Sequence, residues 1–74
     1  MSTPQVAAIP GIADPILRKR QVLQATGLTS STLDRLERGG DFPRKLQIAP
    51  RAVGWLASEV DAWIRRKAAE AQAA

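Results

Sequence analysis

The chain has 74 residues with a formal net charge of +4, and it contains no cysteine, histidine or tyrosine. A chain of this length forms one small domain, and the missing residue types exclude disulfides, thiolate or imidazole metal ligands and the usual general base, so we expect no enzyme, metal or cofactor. The positive charge is concentrated between residues 18 and 51, which favours a polyanionic partner, although a solvated basic surface is the simpler alternative.

The first part of the chain differs in composition from the rest. Residues 1–13 contain two prolines and a glycine among small side chains, without helical or alternating apolar spacing. We expect a flexible tail there, a domain over residues 14–68 and a fraying helix end over residues 69–74. No apolar run reaches the about 20 residues that span a bilayer, and the prolines interrupt any signal-peptide core. These features predict a cytoplasmic protein with no membrane partner.

A first short helix is predicted in RQVLQATG, residues 20–27. Residues 20–26 are compatible with a helix that packs through Val22. Gly27 ends this helix because glycine adopts the left-handed conformation without steric cost. Leu28 then enters the core from a tight turn.

A second helix is predicted from residue 30 to about residue 38 or 39, in the stretch SSTLDRLERG. Thr29 caps it by accepting a hydrogen bond from the backbone N–H of residue 31 or 32, and the following Gly-Gly pair ends it. Leu33 and Leu36 lie three residues apart and form its buried face. At about 100° per residue, the outward face carries Ser31, Asp34, Arg35 and Arg38.

Two short strands are predicted in KLQIAPRAVGWL, because apolar and polar residues alternate in its first and last five positions. The alternation puts Leu46 and Ile48 on one face of the first strand, and we expect Ile48 in the core together with Trp55 of the second strand. Residues 49–52 form the turn of this hairpin, with Arg51 at or near its tip.

The last predicted element is a helix that starts at Ser58. Asp61 follows three residues later in a capping-box arrangement. Val60, Trp63 and Ile64 form the buried stripe of this helix. Both tryptophans of the chain occupy apolar positions in their elements, so we assign them to the core rather than to base stacking.

The order of these elements is short helix, glycine turn, second helix, two-stranded hairpin and final helix. This is the plan of a winged helix-turn-helix, so we expect a mainly α fold with a small β-hairpin. Such a module binds duplex DNA by laying its second helix in the major groove, while the hairpin reaches toward the backbone or minor groove. The helix spacing by itself also fits two plain packed helices.

The sequence over residues 16–67 resembles the AlpA-type phage regulators, which belong with the excisionases and the MerR-like winged-helix proteins. The resemblance rests on TGLTSSTLDRLERGGDFP for the helix-turn-helix and on RKLQIAPRAVGWLASEVDAWI for the wing and final helix. It implies a bacterial, nucleoid-associated protein that binds DNA near attachment sites of a prophage or other mobile element. In that family, binding activates transcription of recombination genes or bends DNA to direct excision.

The family's recognition helix matches the second predicted helix, where Arg35 and Arg38 can pair with guanine and Ser31 can serve a base edge or a phosphate. The chain departs from the family pattern at Ser30, where a basic residue is common, and at Asp34, where an aromatic or polar residue is usual. Asp34 could accept from a cytosine amino group, or it could pair with Arg38 on a solvated surface. The residues of this helix that we expect to contact DNA are Thr29, Ser30, Ser31, Thr32, Asp34, Arg35 and Arg38.

Two further groups of cations extend this predicted surface. The basic residues of the hairpin would approach the DNA backbone or a narrow minor groove, although charges that protect a strand edge are the alternative. The second group precedes the first helix, where cations do not stabilise the positive helix end and a phosphate contact is favoured. The predicted wing contacts are Arg44, Lys45 and Arg51, and the predicted backbone contacts are Arg18, Lys19 and Arg20.

These features lead to the hypothesis of a sequence-specific regulator of transcription or a recombination directionality factor, with no small-molecule ligand. Without tyrosine the chain cannot itself be a tyrosine recombinase, so excision would require a separate integrase. Cooperative self-association on DNA would compensate for the few base pairs that one small module contacts. One alternative is a protein-binding adaptor that docks on an integrase or RNA polymerase. An anionic-membrane binder is disfavoured, because the cations do not lie opposite a broad apolar helix face.

Overall fold

A computed structural model describes residues 13–73. The predicted tail, apart from residue 13, lies outside the described residues, and so does residue 74. The elements in chain order are β1 (Ile16–Leu17), α1 (Lys19–Thr26), α2 (Ser30–Arg38), β2 (Leu46–Ala49), β3 (Ala52–Leu56) and α3 (Ala57–Ala73). The predicted mainly α fold with a β-hairpin, a winged helix-turn-helix, is confirmed. The domain limits at residues 14 and 68 and the fraying end stay a prediction.

Helix α1 begins one residue earlier than predicted. Arg18 is its N-cap residue, and the Arg18 backbone N–H donates to Gln21 Oε1 at 2.8 Å. At the other end, Gly27 has a φ of 75° and donates its N–H to the Leu23 carbonyl at 2.8 Å, so the predicted left-handed stop is confirmed. Val22 is fully buried on the inner side of the helix.

Helix α2 begins at the predicted residue and ends at Arg38, the earlier of the two expected ends. Thr29 Oγ1 accepts from the Thr32 backbone N–H at 3.3 Å, so the cap uses the later of the two expected donors. Leu33 is fully buried and Leu36 is partly buried, which turns the predicted apolar face inward. Gly40 follows the helix with a φ of 80°, where a residue with a side chain would be strained.

Strand β3 is the centre of a three-stranded antiparallel sheet with the order β1-β3-β2. The sequence does not predict β1, because two residues are too few to show alternation. This strand pairs Leu17 with Trp55 and Ile16 with Leu56. The close approach requires Gly54, because a Cβ at that position would lie 2.8 Å from the Leu17 carbonyl oxygen and against the Ile16 side chain.

The hairpin of β2 and β3 is the wing. The prediction that Ile48 lies in the core is wrong, since Ile48 is 41% exposed. Alternation decides which residues share a face but not which face meets the core. Leu46 pairs with Gly54, whose neighbour Trp55 points to the opposite face and is buried. An irregularity of the register around residue 48 then removes Ile48 from the regular ladder.

Helix α3 begins one residue earlier than predicted, and its first turn is capped from the other end of the domain. Asp14 accepts hydrogen bonds from the Ser58 backbone N–H at 2.9 Å and from the Ser58 hydroxyl at 2.7 Å. The predicted Ser58–Asp61 capping box is wrong, because Asp61 pairs instead with Arg65 Nε at 2.7 Å. The helix continues to Ala73, and no helix within residues 13–73 is long and apolar enough to cross a membrane.

The core is built around Phe42, in the connection between α2 and the wing. Its ring packs edge-on against Trp63, with 4.8 Å between ring centroids, and against Trp55, with 6.4 Å. Both indole N–H groups are satisfied, since Trp63 donates to the Asp41 carbonyl and Trp55 to the Pro43 carbonyl. The buried residues of this hydrophobic cluster are Leu17, Val22, Leu33, Phe42, Trp55, Ala57, Val60 and Trp63, with Leu23, Leu28, Leu36 and Ile64 packed against them.

Candidate nucleic-acid interface

The outward face of α2 is polar and accessible. Ser31, Arg35 and Arg38 are exposed, whereas Leu33 on the opposite side anchors the helix in the core. Because the packing residues and the exposed residues lie on different sides, this face can contact a ligand without disturbing the core.

An open groove of about 870 Å³ lies between the start of α1, the second half of α2 and the beginning of the wing. Five of its lining residues belong to the predicted DNA-contact set, and they come from three parts of the chain. The fold therefore joins α1, α2 and the wing into one charged surface. The residues that line this groove are Lys19, Asp34, Glu37, Arg38, Arg44, Lys45 and Leu46.

Asp34 forms an ion pair with Lys19, with 2.9 Å between Oδ1 and Nζ. The hydrogen bond from Lys19 is the main cause that lowers the pKa of Asp34 from its ordinary value of 3.8, and the nearby charges of Lys19, Lys45 and Arg38 act in the same direction against desolvation. The alternative in which Asp34 pairs with Arg38 is wrong, because the ion-pair partner of Asp34 within residues 13–73 is Lys19.

Lysines and arginines differ in how they are paired. Besides Lys19, Lys45 Nζ lies 3.7 Å from Glu37 Oε1, and Lys67 Nζ lies 3.3 Å from Asp41 Oδ2, so every lysine is tied to a carboxylate. The guanidinium groups of the predicted surface keep their donors available for the bidentate bonds that arginine makes with phosphate or guanine. Within residues 13–73, no ion pair involves Arg18, Arg20, Arg35, Arg38, Arg44 or Arg51.

The turn of the wing is formed by Pro50 and Arg51, as predicted for the tip. Arg51 has a φ of 64°, and within residues 13–73 no other residue with a side chain has a positive φ. The left-handed region costs such a residue about 1–2 kcal/mol relative to the right-handed one. The exposed Arg51 therefore occupies a position where glycine would fit with less strain.

The remaining predicted contacts lie outside the groove. At the start of α2, Ser30 is exposed, whereas the hydroxyl groups of Thr29 and Thr32 bond to each other at 2.9 Å. Arg18 is exposed at the N-cap of α1, and the next two residues form the first turn of that helix. The prediction that this basic triplet precedes the helix therefore holds for Arg18 alone.

Sequence reasoning misses two residues of the groove, Glu37 and Leu46. Glu37 Oε2 accepts a hydrogen bond from the Lys45 backbone N–H at 2.8 Å. Glu37 lies three residues after Asp34 and therefore on the same side of α2, and this spacing could have indicated its place in the groove. Leu46 is 40% exposed at the groove, and the alternation does not indicate this because it puts Leu46 on the same face as Ile48, for which the sequence predicts a core position.

A smaller cleft of about 360 Å³ lies between the connection after α2 and α3. Its walls include the side of Trp63, Pro43, Glu59 and Arg66. Residues 13–73 hold no group of three or more histidine, cysteine, aspartate or glutamate side chains placed to bind a metal ion.

Comparison with known proteins relates the chain to phage regulators. The model of the family described as prophage CP4-57 regulatory protein (AlpA) matches residues 15–68. The uncharacterized protein ORF88 of Enterobacteria phage P4 is 42% identical over 48 residues, which cover 65% of this chain and 54% of that protein. The chain therefore spans about half the length of this curated relative. No solved structure matches the chain.

Proposed function

Because the chain belongs to the AlpA family of phage regulatory proteins, we propose that it binds duplex DNA of a prophage or related mobile element with sequence specificity. It acts on the bacterial nucleoid as a transcriptional regulator, as a recombination directionality factor, or as both. Its mechanism is binding alone, so it makes and breaks no covalent bond.

The observation that carries this proposal is the set of unpaired arginines around one groove. Arg38 of α2 and Arg44 before the wing line the same groove. Within residues 13–73, neither of them pairs with a carboxylate. Free guanidinium groups on a helix face and on an adjacent hairpin match the phosphate and base edges of a duplex in both charge and hydrogen-bond geometry.

In the proposed complex, α2 lies in the major groove of the DNA. Arg35 and Arg38 reach base edges there, where a bidentate bond to O6 and N7 of guanine discriminates by about 1–3 kcal/mol. Ser31 and the free N–H groups at the start of α2 receive a phosphate. The wing extends along the duplex, so that Arg44 and Arg51 meet the neighbouring backbone or the minor groove.

Asp34 is compatible with this mode of binding because the positive charge of Lys19 neutralises its carboxylate. A free carboxylate on the face of α2 would repel phosphate. The 2.9 Å ion pair with Lys19 instead leaves no net charge at this point of the protein surface. In this proposal Lys19 primarily neutralises Asp34, and the phosphate contacts of the first helix come from Arg18 and Arg20.

A role in excision requires a second protein, since binding alone does not cut or join DNA. We propose that a separate integrase performs those steps while this protein organises the DNA. One small module contacts few base pairs, so several copies bind neighbouring sites cooperatively.

Selection from a random duplex library, followed by footprinting of the neighbouring genomic region, tests the proposal. We expect a defined binding site, and in a mobility shift we expect affinity to fall steeply between 50 and 200 mM salt because counterions return to the phosphates. If no duplex is shifted even at low salt, DNA binding is rejected. A direct binding measurement with purified integrase and RNA polymerase then tests the adaptor alternative.

Replacement of Arg35 or Arg38 by alanine tests the base contacts. Each variant should lose about 1–3 kcal/mol of binding free energy for the selected site and should tolerate more bases at one position. The matched control is Arg66→Ala, which removes an exposed arginine of α3 and the same charge. If Arg35→Ala and Arg38→Ala weaken binding to every duplex equally, these residues contact phosphate and the assignment of base recognition is wrong.

A further inference from the structure

We infer that Glu37 is a positioning residue, which holds the wing at a fixed distance from α2 so that both can contact one DNA site. The inference rests on the proposed function and deepens it, because it concerns how two separate contact regions are held together. Glu37 itself is not expected to touch DNA, since its carboxylate is directed to the protein backbone.

The contacts of Glu37 join the two parts of the proposed surface. Its Oε2 accepts from the Lys45 backbone N–H at 2.8 Å, and its Oε1 lies 3.7 Å from Lys45 Nζ. The Glu37 side chain is 14% exposed, against 51% for that of Lys45. Glu37 precedes Arg38 in α2, and Lys45 follows Arg44 at the entrance to the wing. One side chain thus fixes the backbone between two candidate contacts.

Core packing does not hold this end of the wing. All four residues of β2 are exposed, and β2 is an edge strand that pairs with β3 through an irregular register. The connection after α2 is anchored by Trp63 at the Asp41 carbonyl and by Trp55 at the Pro43 carbonyl. The Glu37 bond is the next anchor along the chain and the last one before β2 begins.

With Glu37 in place, α2 and the wing are held in a fixed geometry and contact the DNA as one unit. Two linked contacts strengthen each other only if both can engage at the same time, and their mutual effect weakens when the geometry between them is no longer fixed. The ion pair between Glu37 and Lys45 is long, at 3.7 Å, and the Lys45 side chain is half exposed, so the pair adds little stability on its own. Its effect should therefore appear in the coupling between α2 and the wing rather than in the stability of the fold.

A double-mutant cycle with Glu37→Ala and Arg51→Ala measures this coupling. In the wild-type background, Arg51→Ala should weaken binding to the selected site about tenfold, which is within the range for loss of one arginine contact. In the Glu37→Ala background, the same change should weaken binding less than about twofold, because the wing no longer meets the DNA. Glu59→Ala is the matched control, since it removes one exposed carboxylate of α3 and should leave the tenfold effect intact.

A conservative variant separates positioning from charge. Glu37→Gln keeps an oxygen acceptor for the Lys45 N–H and should retain most of the coupling, whereas Glu37→Ala should lose it. Hydrogen exchange of the Lys45 amide, measured without DNA, should be fast in Glu37→Ala and protected in Glu37→Gln. This readout also applies if Glu37→Ala weakens the fold, because thermal melts identify the folded fraction of each variant.

The outcomes distinguish the two levels of the proposal. An equal cost of Arg51→Ala in both backgrounds would overturn the positioning role while leaving DNA binding intact. A loss of coupling in Glu37→Gln, with the Lys45 amide still protected, would assign the effect to charge and would also overturn it. If Arg51→Ala has no effect in the wild type, the tip makes no contact that Glu37 could position. If the wild-type protein selects no duplex, the proposed function and this inference fail together.

Discussion

At the scale of single residues, the pairing of the cations is more informative than their number. Each lysine is tied to a carboxylate, while the arginines of α2 and the wing have no such partner within residues 13–73. Asp34 belongs to the same pattern, since it pairs with Lys19 from another helix. An acidic residue on a face proposed to contact DNA is thus compensated locally.

Arg51 is expected to lower the free energy of unfolding while it strengthens binding to DNA. Arg51→Gly relieves the left-handed strain of about 1–2 kcal/mol. Glycine also loses about 0.5–1 kcal/mol more in chain entropy on folding, so the free energy of unfolding should rise by up to about 1.5 kcal/mol. The same variant should bind the selected DNA more weakly because the guanidinium is gone. Thermal melts and mobility shifts measure the two effects. Arg51→Ala, which keeps the strained φ, should lose affinity without gaining stability, and a stabilised Arg51→Ala would contradict the argument.

The Asp34–Lys19 pair should be visible in a pH titration. Lys19 favours the ionised carboxylate in the folded state, so the pKa of Asp34 is depressed below 3.8. The stabilisation is present above the unfolded-state pKa and is lost as the pH falls through the folded-state pKa. NMR titration should show the pKa of Asp34 rising toward 3.8 in Lys19→Gln. Lys45→Gln should shift the pKa of Asp34 less, since Lys45 acts through its charge without a hydrogen bond, and an unchanged pKa in Lys19→Gln would rule out the pair.

At the scale of the elements, the start of α3 and the entrance to β2 are held by hydrogen bonds to residues of other elements or segments. The first turn of α3 is capped by Asp14, which lies 44 residues earlier than Ser58. The backbone N–H of Ala57 donates to the Pro15 carbonyl at 2.9 Å in the same region. The entrance to β2 is likewise held by a side chain of α2 rather than by burial. The segment before β1 is therefore part of the α3 terminus.

Removal of the remote cap should destabilise α3. Asp14→Ala leaves the Ser58 N–H and hydroxyl without their acceptor and should lower the free energy of unfolding by about 0.5–2 kcal/mol. Denaturant melts followed by circular dichroism measure this loss. Asp61→Ala is the control, since Asp61 bonds to an exposed arginine instead of capping, and it should cost less than Asp14→Ala. Equal losses in the two variants would favour the local capping box after all.

At the scale of the whole molecule, stability depends on one thin core. The described part of the chain measures 41 × 31 × 16 Å, so its shortest dimension holds little more than one layer of helices on a sheet. Phe42 packs between the two tryptophans, and their N–H groups fasten the connection between α2 and the wing. The same cluster that stabilises the fold thus also anchors residues 41 to 43 of the connection, while Glu37 is proposed to position the entrance to the wing.

Loss of one aromatic side chain should therefore unfold the domain. Trp63→Ala removes a buried ring and a hydrogen bond to the Asp41 carbonyl, and it should cost about 3–5 kcal/mol, which is comparable to the total stability of so small a domain. Thermal melts and the dispersion of amide signals measure the outcome. Ile48→Ser is the matched apolar control and should have little effect, because Ile48 is 41% exposed. A folded, stable Trp63→Ala would contradict the role of this core.

The sequence by itself determines most of the local structure. Gly27, the Thr29 cap and the leucine spacing specify two helices and their turn, because these signals act within a few residues. The order of the elements then specifies the winged helix-turn-helix. The exposed face of α2 could be read in the same way, since helical periodicity separates the arginines from the leucines.

Tertiary structure alone decides which partners meet across the chain. It pairs Asp34 with Lys19, caps α3 with Asp14 and brings Glu37 to Lys45. It also exposes Ile48, because alternation is symmetric between the two faces of a strand and only packing selects one of them. These outcomes depend on distances between residues far apart in sequence, which local propensity and periodicity do not encode.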